Sequence, residues 1–74
     1  MAKWSEQANK DFAKCAKRLT PTQRSGVMKA ISGWADSLKK EGTNDFPDPS
    51  SQHRFRVAAK KGEILSIRLK DPFE

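Results

Sequence analysis

The stretch from Arg54 to Lys70 constrains the fold more than any other part of this chain. Phe55, Val57 and Ala59 alternate with Arg54, Arg56 and Ala58, and Leu65, Ile67 and Leu69 then alternate with Ser66, Arg68 and Lys70. A period of two sends successive side chains to opposite faces, so both runs predict strands that are apolar on one side and wetted on the other. A sheet with one apolar face has to be covered, and the upstream segments able to cover it read as helices.

The connection between the two strands must keep both apolar rows on one face, because a slip of one residue exchanges the faces. A two-residue Lys61-Gly62 loop sets Phe55 opposite Arg68 and Val57 opposite Ser66, which mixes them. A three-residue Lys60-Lys61-Gly62 loop sets Val57 opposite Leu65 and Phe55 opposite Ile67, with Gly62 as the left-handed residue such loops use. In this expected register Arg54 lies opposite Arg68 and Arg56 opposite Ser66 on the outer face, with Lys70 at one end and Lys60 and Lys61 at the loop.

Like charges directly opposed across a strand pair destabilise it by roughly 0.2–1 kcal/mol. The arrangement therefore calls for an anion between them, and the arginine fork matches phosphate oxygens. Arg54, Arg56, Lys60, Lys61, Arg68 and Lys70 are accordingly the expected nucleic-acid-binding residues. The competing explanation is protection of an exposed sheet against edge pairing, for which lysine would serve better than opposed arginines.

Two helices are expected upstream. Ser5 caps a segment in which Ala8, Phe12, Cys15 or Ala16, and Leu19 recur at three- and four-residue steps, giving a helix over 5–19 with Lys10, Lys14 and Lys17 on another face. Thr20 precedes Pro21 and is pushed out of the helical region, so that helix stops there. Thr20, Pro21 and Gln23 then open the next one as a cap, a first-turn proline and a capping box. Val27, Ile31, Trp34 and Leu38 form its apolar stripe, and Lys39, Lys40 and Gly42 mark its end, giving a helix over 21–41. Gly26 and Gly33 inside it are expected to admit another backbone closely. Residues 42–52 show no period and carry Asn44, Asp45, Pro47, Asp48, Pro49, Ser50 and Ser51, so they read as a loop, pinned by Phe46. The expected fold is α+β, a single domain over residues 1–74 with two N-terminal helices on a small antiparallel sheet that ends in a hairpin over 53–70.

With 35% hydrophobic and 32% charged residues in 74, the core is small and rests on two Trp, four Phe and the aliphatics. The lone Cys15 cannot form an internal disulfide, and Lys3 is followed by Trp4, Ser5 and Glu6 rather than an apolar leader, so a reducing, cytoplasmic setting without membrane contact is expected. The net charge is +6, and residues 53–70 hold six basic side chains against one acidic. Such a dense positive field selects anionic partners. His53 has no second His, no nearby Cys and no carboxylate at ligand spacing, so neither metal nor cofactor is expected there. It is the sole histidine and the candidate acid or base.

The order of these pieces resembles the RelE/ParE superfamily of toxins, particularly its YoeB-like members. The likeness is carried by an opening strand ending Lys3-Trp4-Ser5-Glu6, by Ala8 and Asp11-Phe12 on a first helix, and by a second amphipathic helix. His53-Arg54-Phe55-Arg56-Val57 and, after a glycine turn, Ile64 to Leu69 complete it. The resemblance implies two helices on a twisted antiparallel sheet, RNA or the ribosome as partner, and an antitoxin or other acidic protein as a second partner. It also implies that Arg54 holds a scissile phosphate, with Arg56, Arg68 and Lys70 on the same surface. The activity implied is ribosome-dependent endoribonuclease. Two departures bear on it: the span before His53 is short and reads without the strand that carries the family's catalytic acid, and Asp71-Pro72-Phe73-Glu74 lacks the family's terminal His or Tyr. The alternative is a non-enzymatic phage or plasmid inhibitor docking on an acidic protein.

Overall fold

A computed structural model describes residues 2–74 and gives an α+β fold. Its elements are β1 (Lys3–Trp4), α1 (Glu6–Cys15), α2 (Pro21–Ser37), β2 (Glu41–Pro47), β3 (Arg54–Lys60) and β4 (Glu63–Lys70). The four strands form one sheet in the order β1-β4-β3-β2. The pairs β2·β3 and β3·β4 are antiparallel, whereas β1 runs parallel to β4, so the sheet is mixed.

The helix starts fall where their chemistry puts them. The Ser5 side chain accepts from the Ala8 amide at 3.0 Å, and at Thr20 the capping box closes in both directions with Gln23. Ala8, Phe12, Ala16 and Leu19 meet Val27, Ile31 and Ala35 over the inner sheet face, where Phe55, Val57, Ala59, Ile64 and Ile67 are all buried. Phe12 packs on Phe55 with ring centroids 6.1 Å apart. Among the described residues no helix lies on the other sheet face. No helix among the described residues is long and apolar enough to cross a membrane.

The helix ends differ from expectation. α1 stops at Cys15, and Ala16 to Leu19 continue as a turn that still buries Ala16 and Leu19. α2 stops at Ser37 rather than reaching residue 41, with Leu38 already extended as its C-cap. Gly42 lies in a strand and is not a left-handed stop. The early stop frees Glu41–Pro47 to pair with all seven residues of β3, and this is where the expected loop over 42–52 gives way to a strand. Gly, Asn, Asp and Pro are poor strand formers, and tertiary pairing overrides that weakness at a sheet edge, where a proline is tolerated. Phe46 pins the strand by packing edge-on against Trp34, centroids 5.7 Å apart. Gly26 and Gly33 face open space with nothing within 4 Å of a Cβ, so no backbone approaches them.

The hairpin turn is the two-residue Lys61-Gly62 loop, both residues with positive φ (40° and 82°), which suits the twist of the strands it joins. The three-residue loop is therefore overturned. The parity conflict that argued for it is resolved by a bulge: Lys60 pairs with Glu63 and Ala59 with Ile64, but Ala58 pairs with Ser66, leaving Leu65 as an extra residue. Upstream of the bulge Val57 faces Ile67 and Phe55 faces Leu69. The core takes Ile64, fully buried, in place of the expected Leu65, which is half-buried. The turn is tied down from both sides, since the Gly62 amide donates to the Ala35 carbonyl at 2.9 Å and the Lys3 amide donates to the Gly62 carbonyl at 2.7 Å.

Past Trp4, the far edge of β4 is closed by side chains of α1. Ser5 Oγ donates to the Leu65 carbonyl (2.9 Å), Asp11 Oδ2 accepts from the Ile67 amide (3.0 Å), and Cys15 lies beside Leu69. A helix laid along a strand edge in this way satisfies main-chain groups that would otherwise invite another chain.

Candidate functional site

Strand alternation sets Thr43 and Asp45 of β2, Arg54, Arg56 and Ala58 of β3, and Ser66, Arg68 and Lys70 of β4 on the open sheet face. The bulge shifts the expected cross-strand partners. Arg56, not Arg54, lies opposite Arg68, and Arg54 lies opposite Lys70. Like charges thus remain directly opposed, but the chain supplies its own counter-ions. Asp45 Oδ1 accepts from Arg56 Nε at 2.8 Å, and its Oδ2 accepts from Arg56 Nη2 at 3.2 Å and from Lys70 Nζ at 2.9 Å. Glu74 folds back over Arg68 and accepts from Nη2 at 2.7 Å and Nη1 at 3.3 Å. The expectation that only an external anion relieves the repulsion is overturned at these three cations.

Both carboxylates respond electrostatically. Hydrogen bonds from Arg56 and then Lys70 hold Asp45 far below the usual carboxylate range. Those from Arg68 and the Asp71 amide likewise lower Glu74. Each is ionised throughout the neutral range and is a weak proton acceptor.

The six expected binding residues separate into groups. Lys70 has only 14% of its side chain accessible and is occupied by Asp45, so it acts as internal support. Arg56 and Arg68 remain 40% and 52% accessible, and Arg56 Nη1 and Arg68 Nε bond to no other residue among the described residues. Arg54 is exposed and makes no ion pair among the described residues. Lys60 and Lys61 lie at the other end of the hairpin, about 20 Å from Arg54 along β3 at about 3.3 Å per residue, beside Lys3, Asp36 and Glu63. Between Arg56 and Arg68 the face sinks into a hollow of about 460 Å³, floored by the aligned small side chains of Thr43, Ala58 and Ser66.

His53 is not part of this face. It precedes β3 as the last residue of the loop from Asp48, and its side chain lines a separate groove beside the end of α1. Asp48 organises that loop although it is 7% exposed. Its Oδ1 accepts from the Ser50 amide (2.8 Å) and hydroxyl (2.7 Å), and its Oδ2 from the Ser51 hydroxyl (3.0 Å). Burial pushes Asp48 up, but these bonds from Ser50 and Ser51, with the His53 charge, outweigh it and leave the carboxyl below its ordinary value. Cys15 borders the same groove. Burial, then the Asp11 charge, raises its thiol, which keeps it protonated and unreactive.

Asp45 and Glu74 are the site residues that sequence reasoning missed. Glu74 is distant from Arg68 in any strand pattern, and Asp45 sits in a segment whose composition signals a loop. Comparison with protein-family models, curated protein sequences and solved structures found no match for this chain.

Proposed function

We propose that the chain is a small nucleic-acid-binding protein of RelE-like build that holds the phosphate backbone of RNA, free or within the ribosome, on its open sheet face. One observation carries the reading: Arg56 and Arg68 stand directly opposite each other beside a small-floored hollow, each guanidinium tethered on one edge and open on another. Tethering has already met the ordering cost that a free arginine would incur on binding. Arg54 adds an exposed, unmatched guanidinium at the end of the same face, at the position the family resemblance gives to a phosphate-holding arginine. The order of a short strand, two helices and three further strands also speaks for the RelE-like build. The role is binding rather than cleavage, because the face carries no histidine, Asp45 and Glu74 are poor proton acceptors, and Asp11, which also lines the hollow, is engaged by Gln7 and the Ile67 amide.

Phosphate contacts give affinity without sequence readout. With three arginines engaged on single-stranded RNA, the sheet face should contribute about −2 to the slope of log K against log salt, at about 0.7 per contact. Fluorescence anisotropy of a labelled oligouridylate over a salt series measures it. An Arg54→Gln, Arg68→Gln variant should flatten that slope by about 1.4, and a wild-type slope near zero ends the proposal.

A second reading, docking on an acidic protein such as an antitoxin, is favoured by the way Glu74 already occupies the Arg68 fork. A partner's carboxylate would take the same geometry. That reading gains if the double variant loses a protein partner while its RNA affinity stays unchanged.

A further inference from the structure

Part of the positive charge that has no ion pair among the described residues lies away from the sheet face. Lys14, Lys17 and Arg18, at and just past the end of α1, line one side of the groove that holds His53, a concavity of about 370 Å³. None of the three makes an ion pair among the described residues, whereas Arg56, Arg68 and Lys70 each do. The groove's one lining carboxylate, Asp48, is buried and committed to three donors of its own loop.

The loop wall is pre-arranged by those same bonds. The single proton of the Ser51 hydroxyl goes to Asp48 Oδ2, so Ser51 Oγ can only accept from its other neighbours, the His53 amide at 3.1 Å and the His53 ring at 3.2 Å. Nδ1 is therefore the ring donor to Ser51, and Nε2, which bonds to no other described residue, is left for a ligand, to which it donates when the ring carries both protons. The groove opens beside the sheet end where His53 precedes Arg54 and Leu69 precedes Lys70, and both His53 and Leu69 line it.

We propose that this groove is a second phosphate-binding site, in which Lys14, Lys17, Arg18 and His53 take phosphodiester groups of the nucleic-acid strand whose neighbouring segment lies on the sheet face. The inference rests on the nucleic-acid reading for the identity of the strand, and on its own geometry for the site. A chain of phosphates entering past Arg54 meets the groove cations next. It finds there three cations with no ion pair among the described residues, against a wall whose own acid is already satisfied.

The test compares three variants of the full chain against a labelled oligouridylate of about 10 nucleotides, within the usual span of a small single-strand binder. The groove variant is Lys14→Gln, Lys17→Gln, Arg18→Gln. The face variant is Arg54→Gln, Arg68→Gln. A control removes the same charge away from both sites, at α2 and the connection after it, as Arg24→Gln, Lys29→Gln, Lys40→Gln. All of these side chains are exposed, so the variants should fold, which circular dichroism checks.

The groove variant should lose on the order of 10²-fold in affinity at 0.1 M salt and about 2 in slope, being three contacts at about 0.7 each. The control should lose far less. Equal losses in groove and control variants overturn the groove site while leaving the sheet face standing. A loss in the groove variant with none in the face variant upholds the groove and removes the face. Competition is the second readout: inorganic phosphate should shift the amide resonances of Ser51 and His53, and polyglutamate displacing the RNA from the groove as effectively as unlabelled RNA would also overturn the proposal.

Discussion

Ile64 and Leu65 exchange roles between the two possible hairpin registers, and truncating each in turn decides which register the molecule uses. Ile64 is 0% exposed, with Ala59 as its cross-strand partner in the core. Cutting a fully buried isoleucine to alanine removes its transfer free energy and leaves a cavity, at a cost of about 2–5 kcal/mol. Leu65 is the half-buried bulge residue, and its truncation forfeits roughly half of a leucine's transfer, about 1 kcal/mol. A domain of this length has about 4–11 kcal/mol in total, at 0.05–0.15 kcal/mol per residue. Ile64→Ala therefore removes a large share of it, and Ile64→Val, costing about 0.5–1.5 kcal/mol, serves if the alanine variant does not fold. Urea unfolding followed by tryptophan fluorescence gives the values, with midpoints falling by about 2 M or more for Ile64→Ala at about 1 kcal/mol per M. A larger loss for Leu65→Ala than for Ile64→Ala would refute the bulged register. The opposition of Arg56 to Arg68, on which the binding face depends, would fall with it.

Two further outcomes follow from the fold. Gly26→Ala and Gly33→Ala place a methyl group in open space on an exposed helix surface, so each should stabilise the protein by about 0.5–1 kcal/mol, read as a raised thermal midpoint. Asp45 is held below its ordinary value in the folded state, so its contribution is complete above the unfolded value of about 3.9 and is lost as pH falls from there through the lower folded value. Acid titration of stability should then show a steeper fall below about pH 4 for the wild type than for Asp45→Asn; parallel curves would mean that Asp45 does not hold Arg56 and Lys70.

The helix starts and the apolar periods that the chain states locally came through, while its local stop signals did not. The capping box at Thr20, the Ser5 cap, the apolar steps of both helices and the alternation of Arg54–Lys60 depend on neighbours within a few residues, where hydrogen-bond geometry and side-chain period are fixed by position. The α+β class follows from them, since a one-faced sheet needs cover and only the helices provide it.

Tertiary structure alone decided the rest. It made a strand of Glu41–Pro47, because pairing with β3 outweighs the weak strand preference of Gly, Asn, Asp and Pro. It settled the turn and its bulge together, since a local pattern can count residues in a loop but cannot show that Leu65 is set aside to restore parity. It also brought Asp45 and Glu74 to the arginines and separated His53 from them, joining it instead to Lys14, Lys17 and Arg18. Charge partners are chosen by proximity in space, and on this sheet they lie up to 25 positions apart, as Asp45 and Lys70 do.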